Sequence, residues 1–318
     1  MLWLILIIVL IISLIAVIKA ADIFVENLVE IGSSLGISEV ILGVTAAAMG
    51  TSLPEFGSAI IAILSGNPEI GVGTVVGANI WNMGGILGIS AVFSGMITTK
   101  KAYLKRDGSM SLVTAIILFL FLLYFGSVNI WAGIVLIVVY LGYLYYLIQG
   151  QKKENQKNIE SKSNEKNPKN LRKKTMWALA GILGLAIGCR ILVYCTVELS
   201  DIFSIPEMFA GILLAFGTTA PEFFTVLTSA RRGLSHLAIG TVLGSNIFNI
   251  MIGLGVPALL VTIPVENIAI LYDAPVMILM TLTLLLLMRR NHRLTRREGL
   301  ILIVFYAAYI TLRMFWTV

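Results

Sequence analysis

The chain has 318 residues, of which 58% are hydrophobic and only 13% charged, against about 25% charged in soluble domains. That balance excludes a soluble globular protein and places most of the chain in a lipid bilayer. The net charge of +6 reads as membrane topology and not as affinity for nucleic acid, because Lys and Arg fall in a few short segments between apolar runs.

Ten apolar runs follow one another near residues 2–20, 38–65, 71–97, 109–126, 130–149, 176–197, 207–230, 236–262, 273–288 and 299–316, and each predicts a membrane helix. The first carries no charge through residue 18 and lacks both a basic leader and a small-residue cleavage site, so it predicts a spanning helix and not a signal peptide. The connecting segments alternate in charge. Residues 65–70, 127–129, 198–204 and 262–273 hold no Lys or Arg, whereas Lys100, Lys101, Lys105, Arg106, Arg231, Arg232, Arg289, Arg290, Arg293, Arg296 and Arg297 crowd the others. Basic segments mark the cytoplasmic side. The expectation is a multi-pass plasma-membrane protein with both termini outside and the 150–175 segment in the cytoplasm.

That segment is rich in Lys, Asn, Glu and Ser, with Pro168 as a breaker; its composition buries no core and predicts a solvated linker. It divides the chain into residues 1–149 and 176–318, with five spans in each half. Residues 19–28 and 190–199 also align loosely. An odd number of spans per half inserts the second half upside down, as in secondary transporters that bind substrate at the midplane between inverted repeats. The predicted fold is all-α: ten transmembrane helices in two inverted five-helix repeats, with broken helices at the midplane.

The repeat is plainest in two signatures. G-T-S-L-P-E at 50–55 is followed by G-T-V-V-G-A-N-I-W-N at 73–82; G-T-T-A-P-E at 217–222 is followed by G-T-V-L-G-S-N-I-F-N at 240–249. Pro54 and Pro221 lack an N–H and crowd the carbonyl four residues back, so each helix must kink or open there. Carbonyls around residues 48–51 and 215–218 are thereby freed, which a membrane interior tolerates only where something satisfies them. Thr51, Ser52, Thr218 and Thr219 bring hydroxyls to the same place, and Glu55 and Glu222 bring carboxylates. Asn79 with Asn82, and Asn246 with Asn249, share a helix face at i, i+3 spacing. The glycines around them let helices approach closely. The donor set is all oxygen, without sulfur or imidazole, which points to a hard cation: Ca²⁺ takes six to eight oxygens, and two carboxylates neutralise it.

Blander readings apply to some of these residues. One buried Glu can simply bond neighbouring helices, but its recurrence in the same G-T-x-x-P-E setting argues for a site. Asn79 and Asn246 are as well suited to holding helices together as to touching an ion, and Thr51 and Thr218 can bond back to the preceding turn. Arg190, alone in the sixth run, reads as a snorkelling or paired structural residue. His236 and His292 read as solvated loop residues. Cys189 and Cys195, six apart on one helix, face different directions and predict no disulfide. No nucleophile with a nearby base, H-E-x-x-H or cofactor loop is present, so an enzyme is not expected. Two single Glu do not form a channel-type ring of charge.

At these residues the chain resembles the cation/calcium exchanger superfamily, in its prokaryotic sodium/calcium exchanger branch. The resemblance covers the ten-helix plan and is most specific at residues 43–88 and 211–255, which look like that family's two alpha repeats. It implies Ca²⁺ and Na⁺ bound alternately by Glu55 and Glu222, with Thr51 and Thr218 giving carbonyls and hydroxyls. By the same resemblance Ala48 and Ala215 give carbonyls, Ser52 and Thr219 neighbouring hydroxyls, Asn82 and Asn249 the polar positions of the partner helices, and Ser245 a hydroxyl to an outer sodium site. It implies no cofactor, with small inorganic cations and the lipid bilayer as partners; the sequence leaves the oligomeric state open, a monomer being compatible with it. Two peripheral helices slide across the core in that family. Ala78 stands where relatives commonly have Ser, which leaves the number of Na⁺ ions per cycle open. Asn249 stands for an Asp of many relatives, which argues against potassium co-transport. The competing expectation is a proton-driven Ca²⁺ antiporter using the same carboxylates.

Overall fold

Proline and glycine set the breaks in this helical protein. The computed structural model describes residues 2–35, 50–157, 171–289 and 291–315, with backbone only for 151–157. In chain order the helices are α1 (Leu2–Ser34), α2 (Leu53–Leu64), α3 (Pro68–Ser94), α4 (Lys101–Phe125), α5 (Ile130–Lys157), α6 (Leu171–Phe203), α7 (Glu207–Thr218), α8 (Ala220–Arg231), α9 (Ser235–Ala258), α10 (Ala269–Arg289) and α11 (Arg296–Phe315). Among the described residues eight of these are long and apolar enough to cross a membrane. Helices α7 and α8, bent by 45° at Thr219, pass the same test as one broken span. Helix α2 has 12 residues and is the described part of the predicted 38–65 run, whose first portion lies outside the described residues.

The predicted runs undershoot several helices. Helix α1 continues past residue 20 through Lys19, Asp22, Glu26 and Glu30, and Glu30 meets Lys174 of α6 at 2.6 Å. Helix α4 begins at Lys101, so Lys105 and Arg106 lie in helix and not in the expected loop; Arg106 pairs with Asp107 at 2.6 Å. Helices α5 and α6 take residues 150–157 and 171–175 out of the predicted linker. Hydropathy finds where a helix is dry, and a helix whose charges pair or reach water continues beyond that point.

Four short strands depart from the all-α expectation. β1 (Met96–Thr98) pairs antiparallel with β4 (Arg293–Thr295), and β2 (Ser127–Val128) with β3 (Ile263–Pro264). They satisfy backbone groups where helices turn back. Each pair joins a segment before residue 150 to one after residue 175. Met96 opposite Thr295 becomes Ile263 opposite Val128 on the 167-residue shift that also relates Asn79 to Asn246. Helix α4 separates the two ribbons, so they lie at opposite ends of the molecule.

Those ends differ in charge. At the β1–β4 end, Arg231 stacks over Phe93 at 5.7 Å and Arg296 covers Gly95. At the β2–β3 end, Asn67 donates to Glu207 at 3.1 Å, and Glu69, Glu207 and Glu266 stand close together. Trp3 meets Phe203 and Arg313 meets Glu266 at this second end, which puts the start of α1 and the end of α11 on the same side.

A further echo of the repeat involves charge. Helices α4 and α10 each open with a π-turn, at Leu104–Gly108 and Ala269–Asp273. Each carries an Asp that accepts a hydrogen bond from a Tyr 36 residues on: Tyr143 to Asp107 at 2.8 Å, Tyr309 to Asp273 at 3.0 Å.

Packing divides the helices into a central group and an outlying pair. Helices α3 and α9 are the most enclosed, and α1 is largely exposed through Leu and Ile side chains. Helices α1 and α6 pack along their lengths, with Gly181 on the backbone of Phe24 and Gly188 on Val17. This pair leans on α2, where Cys189 fits against Gly57. In the centre, α3 and α7 cross glycine on glycine: a Cβ on Gly73 would stand 3.1 Å from the Gly211 Cα, and one on Gly211 3.0 Å from the Gly73 Cα. Backbones approach this closely only over small residues.

Candidate functional site

The two prolines do what the sequence demands. Residues 50–52 form a turn, α2 starts at Leu53, and Pro54 takes the second helical position; Pro221 does the same in α8. A missing N–H costs nothing in a first turn. Glu55 and Glu222 are each the third residue of their helix. A carboxylate there lies at the positive end of the helix dipole, so the break both opens the chain and steadies the acid.

Glu55, Glu222, Ser52, Thr218, Thr219 and Asn82 are each 0% exposed, Asn249 1% and Ser245 2%. The two carboxylates are near enough to repel one another. Thr218 lies beside Glu55 and Thr51 beside Glu222, so each acid is neighboured by the other half's threonine. Ser52 donates to Glu222 Oε1 at 3.1 Å, and Ser245 donates to the same oxygen at 3.4 Å. Asn82 Nδ2 donates to Asn246 Oδ1 at 2.9 Å, and Asn246 Nδ2 to the Asn79 carbonyl at 3.0 Å. Helices α2, α3, α8 and α9 thus bring their polar residues to one centre. Asn249 follows Ser245 by one turn of α9.

Some expected donors are occupied. The carbonyl of Ala215 is not freed by the break: it accepts from the Thr219 N–H at 3.0 Å, from Thr219 Oγ1 at 2.8 Å and from Thr218 Oγ1 at 3.3 Å. One helical turn closes across the bend because two hydroxyls and an amide converge there. Thr219 is therefore turned to its own helix. Ala48 lies outside the described residues. Asn79 donates to Val75 of its own helix at 2.8 Å. Arg190 is exposed and donates to Ser65 at the end of α2. His236 is exposed in the first turn of α9 and not in a loop, and both cysteines are free and buried.

Six oxygens of the predicted set are buried with no hydrogen-bond partner among the described residues: Thr51 Oγ1, both oxygens of Glu55, Asn82 Oδ1, Glu222 Oε2 and Asn249 Oδ1. Among the described residues, none of the Lys or Arg ion pairs reaches either Glu. An all-oxygen set with two carboxylates fits a hard divalent or monovalent cation. Among the described residues no group of three or more His, Cys, Asp and Glu is arranged to hold a metal ion, so coordination at this centre would draw on the amides and hydroxyls as well as the two carboxylates.

The sequence reasoning missed the Asp273–Tyr309–Arg313 group. Arg313, 1% exposed, donates to Asp273 at 3.1 Å and lies 3.7 Å from Glu266. The repeated Asp to Tyr spacing was the signal available for it.

The fold and its apolar helices define a multi-pass helical membrane protein, with a buried oxygen-rich centre of a kind that suits small hard cations. The sequence pattern of the sodium/calcium exchanger protein family matches residues 5–149 and 173–315, and the chain belongs to that family; it is a transporter and not an enzyme. It is 29% identical to the sodium/calcium exchanger MaX1 of Methanosarcina acetivorans over 95% of this chain and 96% of that one. It is 28% identical to the inner membrane protein YrbG of Escherichia coli, over 96% of each. A solved structure of the sodium-calcium exchanger NCX_Mj soaked with Na⁺ and Sr²⁺ has a TM-score of 0.65 and 26% identity, covering 97% of this chain and 98% of that one.

Proposed function

We propose that the chain is a secondary antiporter that exchanges Ca²⁺ for Na⁺ across the plasma membrane by alternating access at a site built on Glu55 and Glu222. The single observation that carries this is the set of six buried, unpartnered oxygens around two uncompensated carboxylates. Thr51, Asn82 and Asn249 complete the ligand set, with Ser52 and Ser245 holding Glu222, with Thr218 and Ala48 as further members, and with Thr219 and Ala215 closing the turn beside the site. The names of MaX1 and NCX_Mj, both sodium/calcium exchangers, agree with this reading.

The architecture we propose is two five-helix halves inserted with opposite orientation. The 167-residue correspondence between strand pairs at opposite ends supports it, as do the paired Asp–Tyr contacts. Gathering Lys and Arg at the β1–β4 end supports a cytoplasmic placement of that end, with both termini outside. The domain division at 1–149, 150–175 and 176–318 follows.

Charge accounts for the exchange. Two carboxylates with Ca²⁺, or with two monovalent ions, are near neutral; alone they carry about −2. Each uncompensated charge in the membrane interior costs at least ~2.5–3.5 kcal/mol. Loaded states therefore cross the barrier and empty ones do not, which couples the two fluxes. The outlying α1–α6 pair, resting on α2 through small residues, is the element free to shift.

A proton-driven exchange is the second reading. Glu55 accepts no hydrogen bond among the described residues, and Ala78 gives it no hydroxyl, so a proton on Glu55 takes the place of a sodium ion. Uptake of ⁴⁵Ca²⁺ into proteoliposomes, with Na⁺ and pH gradients imposed separately, decides between them. The expected result is uptake driven by the Na⁺ gradient and lost in Glu55→Gln and Glu222→Gln; normal uptake by both variants removes the site.

A further inference from the structure

Asn246 lies outside the expected ligand set, yet it is the most completely engaged polar side chain in the centre. It is 0% exposed, and both ends of its amide are used. Its nitrogen donates across to the Asn79 carbonyl of α3, and its oxygen accepts from Asn82 Nδ2. Asn82 opens the π-turn Asn82–Leu87, where widening of the helix changes which carbonyls are free. Asn246 takes the carbonyl of Asn79 and grips Asn82 in the same reach.

The grip has a chemical consequence. An amide presents an oxygen at one corner and an NH₂ at the other. With its nitrogen committed to Asn246, Asn82 has only Oδ1 left to turn elsewhere, and that oxygen is buried and unpartnered among the described residues. Were the amide reversed, two oxygens would face each other at the Asn246 contact and an NH₂ would face the cation. The counterpart position does none of this. Asn79 spends its nitrogen on its own helix, and Asn249 has both amide atoms unpartnered among the described residues.

We propose that Asn246 is a positioning residue for cation binding: reaching from α9 to α3, it fixes the Asn82 amide with its carbonyl oxygen toward the ion. This rests on the antiporter reading above. Outer partners that orient a metal ligand typically change affinity by about 10–100-fold when removed. The prediction for Asn246→Ala is a Ca²⁺ KM raised at least about tenfold, with maximal turnover changed much less.

The decisive measurement is a double-mutant cycle on Ca²⁺ KM in proteoliposomes, with Asn82→Ala, Asn246→Ala and the pair. If Asn246 acts through Asn82, adding Asn246→Ala to Asn82→Ala changes KM little further. Additive losses, or an unchanged KM in Asn246→Ala, overturn the proposal. Asn246→Gln keeps an uncharged amide with both the acceptor for Asn82 and the donor for Asn79; it restores KM toward wild type, and a KM as poor as that of Asn246→Ala counts against orientation. Glu55→Gln separates the two levels: normal transport by it defeats the antiporter site, whereas its inactivity beside a neutral Asn246→Ala defeats only the role of Asn246.

Discussion

The two halves of the molecule carry nearly the same words and use them differently. Glu222 is held by two hydroxyls, from Ser52 and Ser245, while both oxygens of Glu55 lack a partner among the described residues. Ser52 reaches across to the other half's acid; its counterpart Thr219 folds back onto Ala215. Asn246 orients a neighbour, and Asn79 does not. At the ends, Asp273 sits in a sealed group with Arg313, while Arg106 beside Asp107 is 27% exposed. A duplicated sequence therefore yields one braced half and one loose half. Under the proposed exchange, a site that takes ions of different charge in turn benefits from a fixed wall and an adaptable one.

The largest difference between the halves should appear in stability. Arg313→Ala strands Asp273 in a dry interior, and breaking a buried pair on one side costs about 3–5 kcal/mol. Arg106→Ala removes a partner that is itself 27% exposed and leaves Asp107, 6% exposed, its hydrogen bond from Tyr143, for a smaller loss of about 1 kcal/mol. Thermal unfolding in detergent, followed by loss of monodisperse protein, checks this. Equal shifts in the two variants would mean that the sealed and open ends differ only in appearance.

Next in size is the bracing of Glu222. Ser52 precedes α2, yet its side chain makes no capping bond, so Ser52→Ala removes only the donor to Glu222. A hydrogen bond to a charged group contributes about 1.5–3 kcal/mol, so the Ca²⁺ KM should rise about tenfold. Thr219→Ala removes only a bond within its own helix and should leave KM within about twofold. Similar losses from both substitutions would show that Ser52 and Thr219 act alike and that the halves are equivalent after all.

Much of this organisation was legible in the sequence. Proline after a Gly-Thr pair forced the breaks at residues 50–52 and 219, and those breaks placed Glu55 and Glu222 in first turns. The asymmetry was not legible. Whether Ser52 or Thr219 crosses to the opposite acid depends on how far each hydroxyl stands from a carbonyl of its own helix, a matter of tertiary placement that residue type leaves open. Nor did hydropathy reveal that α4 starts at Lys101, because Arg106 and Asp107 cancel locally while each scores as polar alone. Arg313 hid for a similar reason: near the end of an apolar run it reads as a flanking charge, and only α10 and α11 packed together make it interior.

The smallest effect belongs to the position that most directly separates the halves. Ala78 is buried at the place where the other half has Ser245, the weaker of the two donors to Glu222 at 3.4 Å. Ala78→Ser offers Glu55 a second hydroxyl besides that of Thr218 and makes the loose half resemble the braced one. The gain is limited, because an added atom in a packed interior costs about 1–3 kcal/mol, comparable to what one hydrogen bond to a charged group returns. The net should be a fall of about threefold in the Na⁺ concentration that half-saturates Ca²⁺ efflux, a shift of ~0.7 kcal/mol, with the Ca²⁺ KM nearly constant. Under the proton-driven reading the same hydroxyl favours the ionised Glu55, so the pH dependence of efflux should move toward lower pH instead. If neither the Na⁺ dependence nor the pH profile moves, residue 78 does not face Glu55, and the correspondence between the halves fails at the one position where their sequences differ most in chemistry.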